Sequence, residues 1–282
     1  MKIAVTGAGG RLGRAVAERA AERGIACRAF THAEIDAANA AAVAAALIGQ
    51  DFGCIVNCAA YTDVDGAERE PEAARAANAL APAVLARTGI GLLHVSTDFV
   101  FDGRSCRPYA EDDRPNPIGA YGRTKLEGER VLLGGCFLGA IVRTSWLYAK
   151  DESDPGFYGK ILRRAKKASS VRVVSDQTGS PTLASDLAAF LVALAERGIH
   201  RHTMSVYHFA NAGSCSRAEF ARAIIGAAGL PCSVEPVRTV TAAGTAARPA
   251  FSVLSCEKIR DSFGVVPRDW KTALLSSTSW EI

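Results

Sequence analysis

The sequence predicts an α/β fold of the Rossmann type: a doubly wound parallel sheet with a smaller, interleaved C-terminal substrate lobe. Three observations predict it. Short apolar runs alternate with helical patterns through the first half of the chain, and the runs are apolar on both faces, as strands buried between helix layers are. The first run ends directly in a glycine-rich stretch that opens a helix. The last third loses the alternation and breaks into Pro, Gly, Asp and Ser clusters.

Residues 2–6, KIAVT, make the first strand, and the glycine stretch runs from Gly7 to Gly13. An alanine-rich helical pattern from Arg14 to Arg23 follows, stopped by Gly24. Next come a strand over Ile25–Phe30, a helix over 38–48 and a strand over Cys54–Asn57. A helix over 71–87 leads to a strand over 91–96, a helix opens near Gly119, and 139–144 reads as another strand. Clusters at 151–156 and 176–181 then punctuate a less regular region. The expected organisation is an NAD(P)-binding Rossmann domain over 1–145. A mostly substrate-binding lobe spans 146–282, with segments near 182–210 returning to the Rossmann sheet.

Composition bounds the function. At 282 residues the chain suits one large domain or two small ones. A net charge of +4 is too small an excess to argue for nucleic acid or an anionic membrane as partner. Hydrophobic residues at 49% and charged residues at 22% fit a globular chain with a substantial core. No apolar run approaches the ~20 residues of a membrane helix, and MKIAVTGAGG does not read as a signal peptide, so a cytoplasmic location is expected. The eight cysteines are scattered and read as reduced. Neither they nor the five histidines show metal-ligand spacing, so no metal is expected.

Gly7, Gly10 and Gly13 lie where a dinucleotide pyrophosphate rests on a helix N-terminus. They permit a tight turn and close backbone approach, while unpaired N–H groups and the helix dipole attract phosphate. NAD sites place an acid at the end of the second strand and NADP sites an arginine. Here that strand ends Phe30-Thr31-His32, with neither, which leans towards NADPH and leaves NADH open.

Tyr121 and Lys125, four residues apart, share one helix face. An ammonium beside a phenol lowers the phenol's pKa from near 10, so the tyrosine exchanges a proton with a carbonyl or alcohol oxygen. Ser96-Thr97 ends the strand before that helix, at the carboxyl edge where α/β sheets bind ligands, and offers a hydroxyl to hold the reacting oxygen. Together these groups point to hydride transfer.

The arrangement resembles the extended short-chain dehydrogenase/reductase family and, within it, the dTDP-4-dehydrorhamnose reductase branch. The likeness rests on Val56-Asn57-Cys58-Ala59-Ala60-Tyr61-Thr62 with Val64-Asp65 and Ala67-Glu68, and on Ser96-Thr97-Asp98-Phe99-Val100-Phe101-Asp102-Gly103. It continues through 121–129, 143–148 and 176–182, and through Ala247-Arg248-Pro249 with Ser252-Val253-Leu254. The resemblance implies reduction of the C4 ketone of a dTDP-sugar with NADPH or NADH. It implies that Tyr121 is the proton donor, that Lys125 lowers its pKa and holds the nicotinamide ribose, and that Thr97 bonds the ketone. It places Gly10, Arg11 and Leu12 at the pyrophosphate, Asp36 and Ala37 at the adenine side, and Ala59, Ala60 and Tyr61 along the rest of the cofactor. Trp146 would contact the sugar nucleotide, with core packing as its plainer reading.

Related sugar dehydratases carry Thr-Asp-Glu where this chain has Thr97-Asp98-Phe99; an apolar ring moves no proton, which disfavours elimination. Gly156, before Phe157, replaces the family's Asn, and 151–155 alters that loop. Some members dimerise through magnesium held by glutamates; the aligned residues here are Ala15 and Ser185, so that metal and that dimer are not carried over, and a homodimer of another kind stays open. Arg248 is a candidate for the substrate diphosphate or a loop anchor. Arg163, Arg164, Lys166 and Lys167 read chiefly as a solvated helix face, and Asn78 as a relay member or a backbone clamp. Two other functions compete: a sugar-nucleotide epimerase, and a non-catalytic NADP-binding regulatory subunit similar to methionine adenosyltransferase β.

Overall fold

The computed structural model describes residues 1–240, 244–278 and 280–281. The first half runs β1 (Lys2–Thr6), α1 (Arg11–Glu22), β2 (Ala26–Phe30), α2 (Ala40–Leu47), β3 (Phe52–Asn57), α3 (Val64–Arg69), α4 (Pro71–Arg75), α5 (Ala81–Ala86), β4 (Gly91–Thr97), α6 (Ala120–Gly134) and β5 (Gly139–Thr144). The second half runs β6 (Leu147–Tyr148), α7 (Phe157–Ala165), β7 (Ser170–Val174), β8 (Thr178–Gly179), β9 (Thr182–Leu183), α8 (Ala184–Glu196), β10 (Ser205–His208), β11 (Cys215–Ser216), α9 (Arg217–Ala227), β12 (Ser233–Val237), α10 (Glu257–Phe263) and α11 (Trp270–Leu275).

The predicted sheet is present. Six parallel strands lie in the order β10-β5-β4-β3-β1-β2. Alternate residues of each strand feed opposite cores, which is why the strands read apolar on both faces. Ile3, Val5, Val56, Leu93 and Val142 pack with Val16 of α1 and Leu187 and Leu191 of α8. On the other face Ala4, Ile55, Leu92 and Ile141 pack with Val43, Leu47, Leu85 and Leu132. A separate core of Tyr148, Ile161, Phe220, Ile224 and Trp270 holds α7, α9 and α11 together beside the two-stranded pairs β12/β7, β11/β8 and β6/β9. Among the described residues no helix is long and apolar enough to cross a membrane.

Three helix boundaries differ from the sequence reading, each for a local reason. The first helix starts at Arg11, three residues early, because extended Gly10 serves as N-cap and its carbonyl accepts the Arg14 N–H at 3.1 Å. Asn39 accepts the Ala41 and Ala42 N–H groups and sets the start of α2 at Ala40. The span over 71–87 is three pieces, with Ala76–Leu80 wound as a π-helix. Pro82 has no N–H to give the Asn78 carbonyl, and the wider turn accommodates that loss.

Candidate active site

The strand order reverses between β1 and β3, and the crevice at their carboxyl ends gathers the loops after β1, β3 and β4. Gly7 has φ +75°, and a Cβ there would lie 2.6 Å from the Ala59 nitrogen; a Cβ on Gly13 would strike the Gly7 carbonyl. Only glycines allow this closeness. Gly10 donates its N–H to the Gly7 carbonyl at 3.0 Å, and no side chain caps α1. The N–H groups of Arg11, Leu12 and Gly13 therefore stand at a helix start without intrahelical acceptors, a cradle that fits a dinucleotide pyrophosphate.

The Arg11 side chain goes elsewhere. It donates to the Leu147 carbonyl at 2.7 Å and pairs at 2.7 Å with the buried Asp154, so any phosphate contact at Arg11 belongs to its backbone. Asp36 shapes a turn, accepting the Ala38 N–H at 3.0 Å, and Ala37 is buried beside it. An acid absent from the strand-end reading does lie at β2's exit. Glu34 folds back to accept from the Thr31 N–H and hydroxyl, both at 2.8 Å, which holds its carboxyl below the usual range.

A buried polar chain runs from β1 to α6. The Asn57 Oδ1 accepts from the Thr6 hydroxyl (2.7 Å) and the Ala59 N–H (3.1 Å), which orients the amide so that its Nδ2 donates to His94 Nδ1 at 3.0 Å. His94 is thereby neutral with its proton on Nε2, 3.3 Å from the Lys125 Nζ. Burial, then the lysine charge, holds its pKa well below the ordinary value. Asn78, on the π-turn, clamps the loop after β3: it accepts the Tyr61 N–H at 3.0 Å and donates to the Tyr61 carbonyl and the Thr124 hydroxyl. The Tyr61 hydroxyl meanwhile bonds Glu70 at 2.9 Å.

Tyr121, Lys125 and Glu129 form one stripe of α6 facing β4. Lys125 is 1% exposed and donates to the Val95 carbonyl at 2.7 Å; burial brings its amine down to about 8, against the pull of Glu129. Tyr121 packs edge-on against Phe99 at 5.9 Å. Its phenol is pushed up to about 12 by burial, with hydrogen bonding to Thr97 acting the other way. This departs from the expected lowering by Lys125, whose donors turn to the strand carbonyl. Ser96 and Thr97 part company: Ser96 donates to Glu129 at 2.5 Å inside the core, while Thr97 donates to Asp98 at 3.1 Å beside the phenol. Glu129 is held bidentately by Arg143 of β5, both fully buried.

Two residues past β5, Trp146 is buried with φ +45°, a strained conformation for an aromatic residue, and a Cβ on Gly179 would collide with its indole. The Arg217 guanidinium lies over the Trp146 ring at 3.5 Å. Arg248 pairs with Asp65 at 2.8 Å and donates to the Ala246 carbonyl, the geometry of a loop anchor. Arg163 and Lys166 tie to the 152–154 loop, and Arg164 and Lys167 are exposed.

Compared with known proteins, residues 1–279 match the model of the family described as the RmlD substrate binding domain. The chain belongs to this family. The dTDP-4-dehydrorhamnose reductase of Mycolicibacterium smegmatis is 40% identical over 97% of this chain and 84% of its own length. A probable dTDP-4,6-dihydroxy-2-methyloxan-3-one 4-ketoreductase of Streptomyces antibioticus is 38% identical over 97% and 93%. The solved structure of the Bacillus anthracis dTDP-4-dehydrorhamnose reductase in complex with NADP superposes with TM-score 0.89 at 33% identity, over 97% of each chain.

Against the family frame, the structure gathers Thr97, Tyr121, Lys125 and the glycine cradle at one end of the sheet, and sets Trp146 two residues past Thr144, which pairs with Thr97 across β4 and β5. Sequence reasoning missed His94, Glu129 and Arg217. The four-residue step from Lys125 to Glu129 is the one signal that pointed to any of them.

Proposed function

We propose that this protein reduces the C4 ketone of dTDP-4-dehydro-L-rhamnose to dTDP-L-rhamnose in the cytoplasm, using NADPH, with NADH as the weaker donor. The observation that carries this reading is the meeting of the Thr97 hydroxyl and the Tyr121 phenol at the carboxyl edge of the sheet that also bears the glycine cradle. In this division, 1–145 binds the cofactor and 146–282 mostly binds substrate.

Gly7, Gly10, Leu12 and Gly13 would hold the pyrophosphate, and Ala59, Ala60, Tyr61 and Lys125 the nicotinamide half. NADPH, when bound, supplies the hydride that C4 receives. Thr97 bonds the ketone oxygen and fixes which way the carbonyl faces. Tyr121 keeps its proton at neutral pH, since burial disfavours the phenolate, and passes it from Oη to the oxygen as negative charge develops there. Solvent then returns the proton to Tyr121, while Lys125, held at the Val95 carbonyl, would serve the nicotinamide ribose. Phe99, in van der Waals reach of Tyr121, can neither give nor take a proton, which keeps the chemistry to reduction.

The test is oxidation of NADPH and NADH, followed by absorbance, with dTDP-4-dehydro-L-rhamnose, and identification of the product. A cofactor that binds without being oxidised rejects the reading in favour of a different sugar nucleotide or a regulatory role. The Streptomyces relative favours a second reading, 4-ketoreduction of another dTDP-sugar, and a higher kcat/KM for that sugar would select it.

A further inference from the structure

Six arginines besides Arg217 are not exposed, and all six have partners. Arg11, Arg19, Arg143, Arg248 and Arg268 pair with Asp154, Glu281, Glu129, Asp65 and Asp186, and Arg163 donates to backbone carbonyls. Arg217 differs. Its backbone N–H bonds the Gln177 carbonyl at 3.2 Å, yet among the described residues its guanidinium makes no hydrogen bond and no ion pair. The contacts it does make are with aromatic rings: Trp146 at 3.5 Å and Phe157 at 5.1 Å.

Aromatic faces occupy the plane of a guanidinium and leave its edge, where all five N–H donors lie, directed outward. Desolvation brings Arg217 down to about 10, with Asp98 supporting its charge and Arg248 opposing it. Asp98 does not neutralise it by contact. Its Oδ1 takes the Thr97 hydroxyl, its Oδ2 has no partner among the described residues, and burial pushes it up to about 6. A desolvated cation with a free bidentate edge calls for a doubly charged oxyanion.

We infer that Arg217 anchors the diphosphate of the sugar nucleotide, and so sets where the sugar lies against Thr97 and Tyr121. This rests on the sugar-nucleotide reading proposed above. The Thr97–Thr144 pairing sets Trp146 two residues beyond Thr97's cross-strand partner, and Arg217 lies on that indole. In a hexopyranose the anomeric oxygen is across the ring from C4. A diphosphate held at Arg217 would thus leave C4 as the far end of the sugar, the end proposed to meet Thr97 and Tyr121. The Arg248 edge, already turned to Asp65 and the Ala246 carbonyl, is less free to take this role.

Arg217→Met keeps an apolar stem on the indole and removes the donors; Arg217→Lys restores charge without the fork. Steady-state kinetics of the full chain should show the sugar-nucleotide KM raised at least tenfold in Arg217→Met and partly recovered in Arg217→Lys, with the NADPH KM unchanged. Calorimetry with dTDP and with thymidine supplies a readout free of turnover. Wild type should prefer dTDP, and Arg217→Met should lose most of that preference. An unchanged dTDP preference in Arg217→Met, or a loss falling on NADPH instead, overturns the assignment. Wild type that binds dTDP but reduces no dTDP-sugar overturns the proposed reaction while leaving the dTDP comparison to judge Arg217.

Discussion

In the proposed reaction Tyr121 must hold its proton until a carbonyl oxygen is in place and release it as charge builds. Its raised pKa, about 12, supports the first requirement, and Thr97, which acts against that rise, serves the second. Tyr121→Phe removes the transferable proton but leaves the ring packed on Phe99. We expect kcat to fall by roughly 10²–10⁴, the usual worth of a general acid, with NADPH affinity held in a fluorescence titration; wild-type turnover would remove Tyr121 from that role. Lys125→Met should lose both rate and NADPH affinity if the amine held at the Val95 carbonyl serves the nicotinamide ribose as proposed. At this scale the sequence was informative where chemistry has a fixed spacing, as in Tyr121 and Lys125. It was silent on Arg217, whose meaning depends on Trp146, 71 residues away in the chain.

At the level of elements, α6 is fixed along one stripe: Tyr121 packs on Phe99, Lys125 bonds Val95 of β4, and Glu129 takes bonds from Ser96 of β4 and Arg143 of β5. Glu129 is the structural end of that stripe. It neutralises Arg143 at the centre of the molecule, and its removal leaves an uncompensated buried cation. Glu129→Ala should cost about 3–5 kcal/mol in urea unfolding, as other broken buried pairs do; a loss within experimental error would mean that Arg143 finds another partner. Asn78 plays the equivalent part on the π-turn. Asn78→Ala leaves the Tyr61 N–H and carbonyl without their partner, which should cost about 1–3 kcal/mol and weaken NADPH binding through the loosened 58–61 loop. Unchanged NADPH affinity alongside lost stability would confine Asn78 to folding. The strands and helices around these residues were legible because burial on both faces leaves an unbroken apolar run. The π-turn was not, since its cause, Pro82 opposite the Asn78 carbonyl, is also compatible with a helix start. The link from Arg11 to Asp154 was hidden for a different reason: it joins the first residue of a helix to a distant loop, and such a pairing leaves no periodic trace.

The whole molecule carries its buried histidines in the neutral form, and that gives its stability a pH dependence with a definite sign. His208 on β10 donates from Nδ1 to the Tyr109 carbonyl at 3.1 Å, so its Nε2 is the acceptor facing Arg143 at 3.3 Å. A proton added there would sit against a guanidinium in a dry site. Burial first and Arg143 second lower its pKa from 6.5 to about 3. A group with a lowered folded pKa contributes stability that is present above the unfolded value and is lost as pH falls towards the folded one. For His208 the window is 6.5 to about 3, at up to about 1.4 kcal/mol per pH unit. His94 and His200, also buried and lowered chiefly by burial, add to the same trend. Asp98 opposes it: its pKa is raised from 3.8 to about 6, so the folded state takes up its proton first and gains stability as pH falls through that narrower range. The gain offsets about one histidine there, and the others leave a net loss on acidification. His208→Gln removes one of these titrations. The difference in unfolding free energy between wild type and His208→Gln, measured in urea from about pH 7 to about pH 4, should therefore move steadily in the variant's favour as pH falls. A difference that stays constant over that range would show that His208 titrates alike in the folded and unfolded chains, and would place the acid sensitivity of the fold elsewhere.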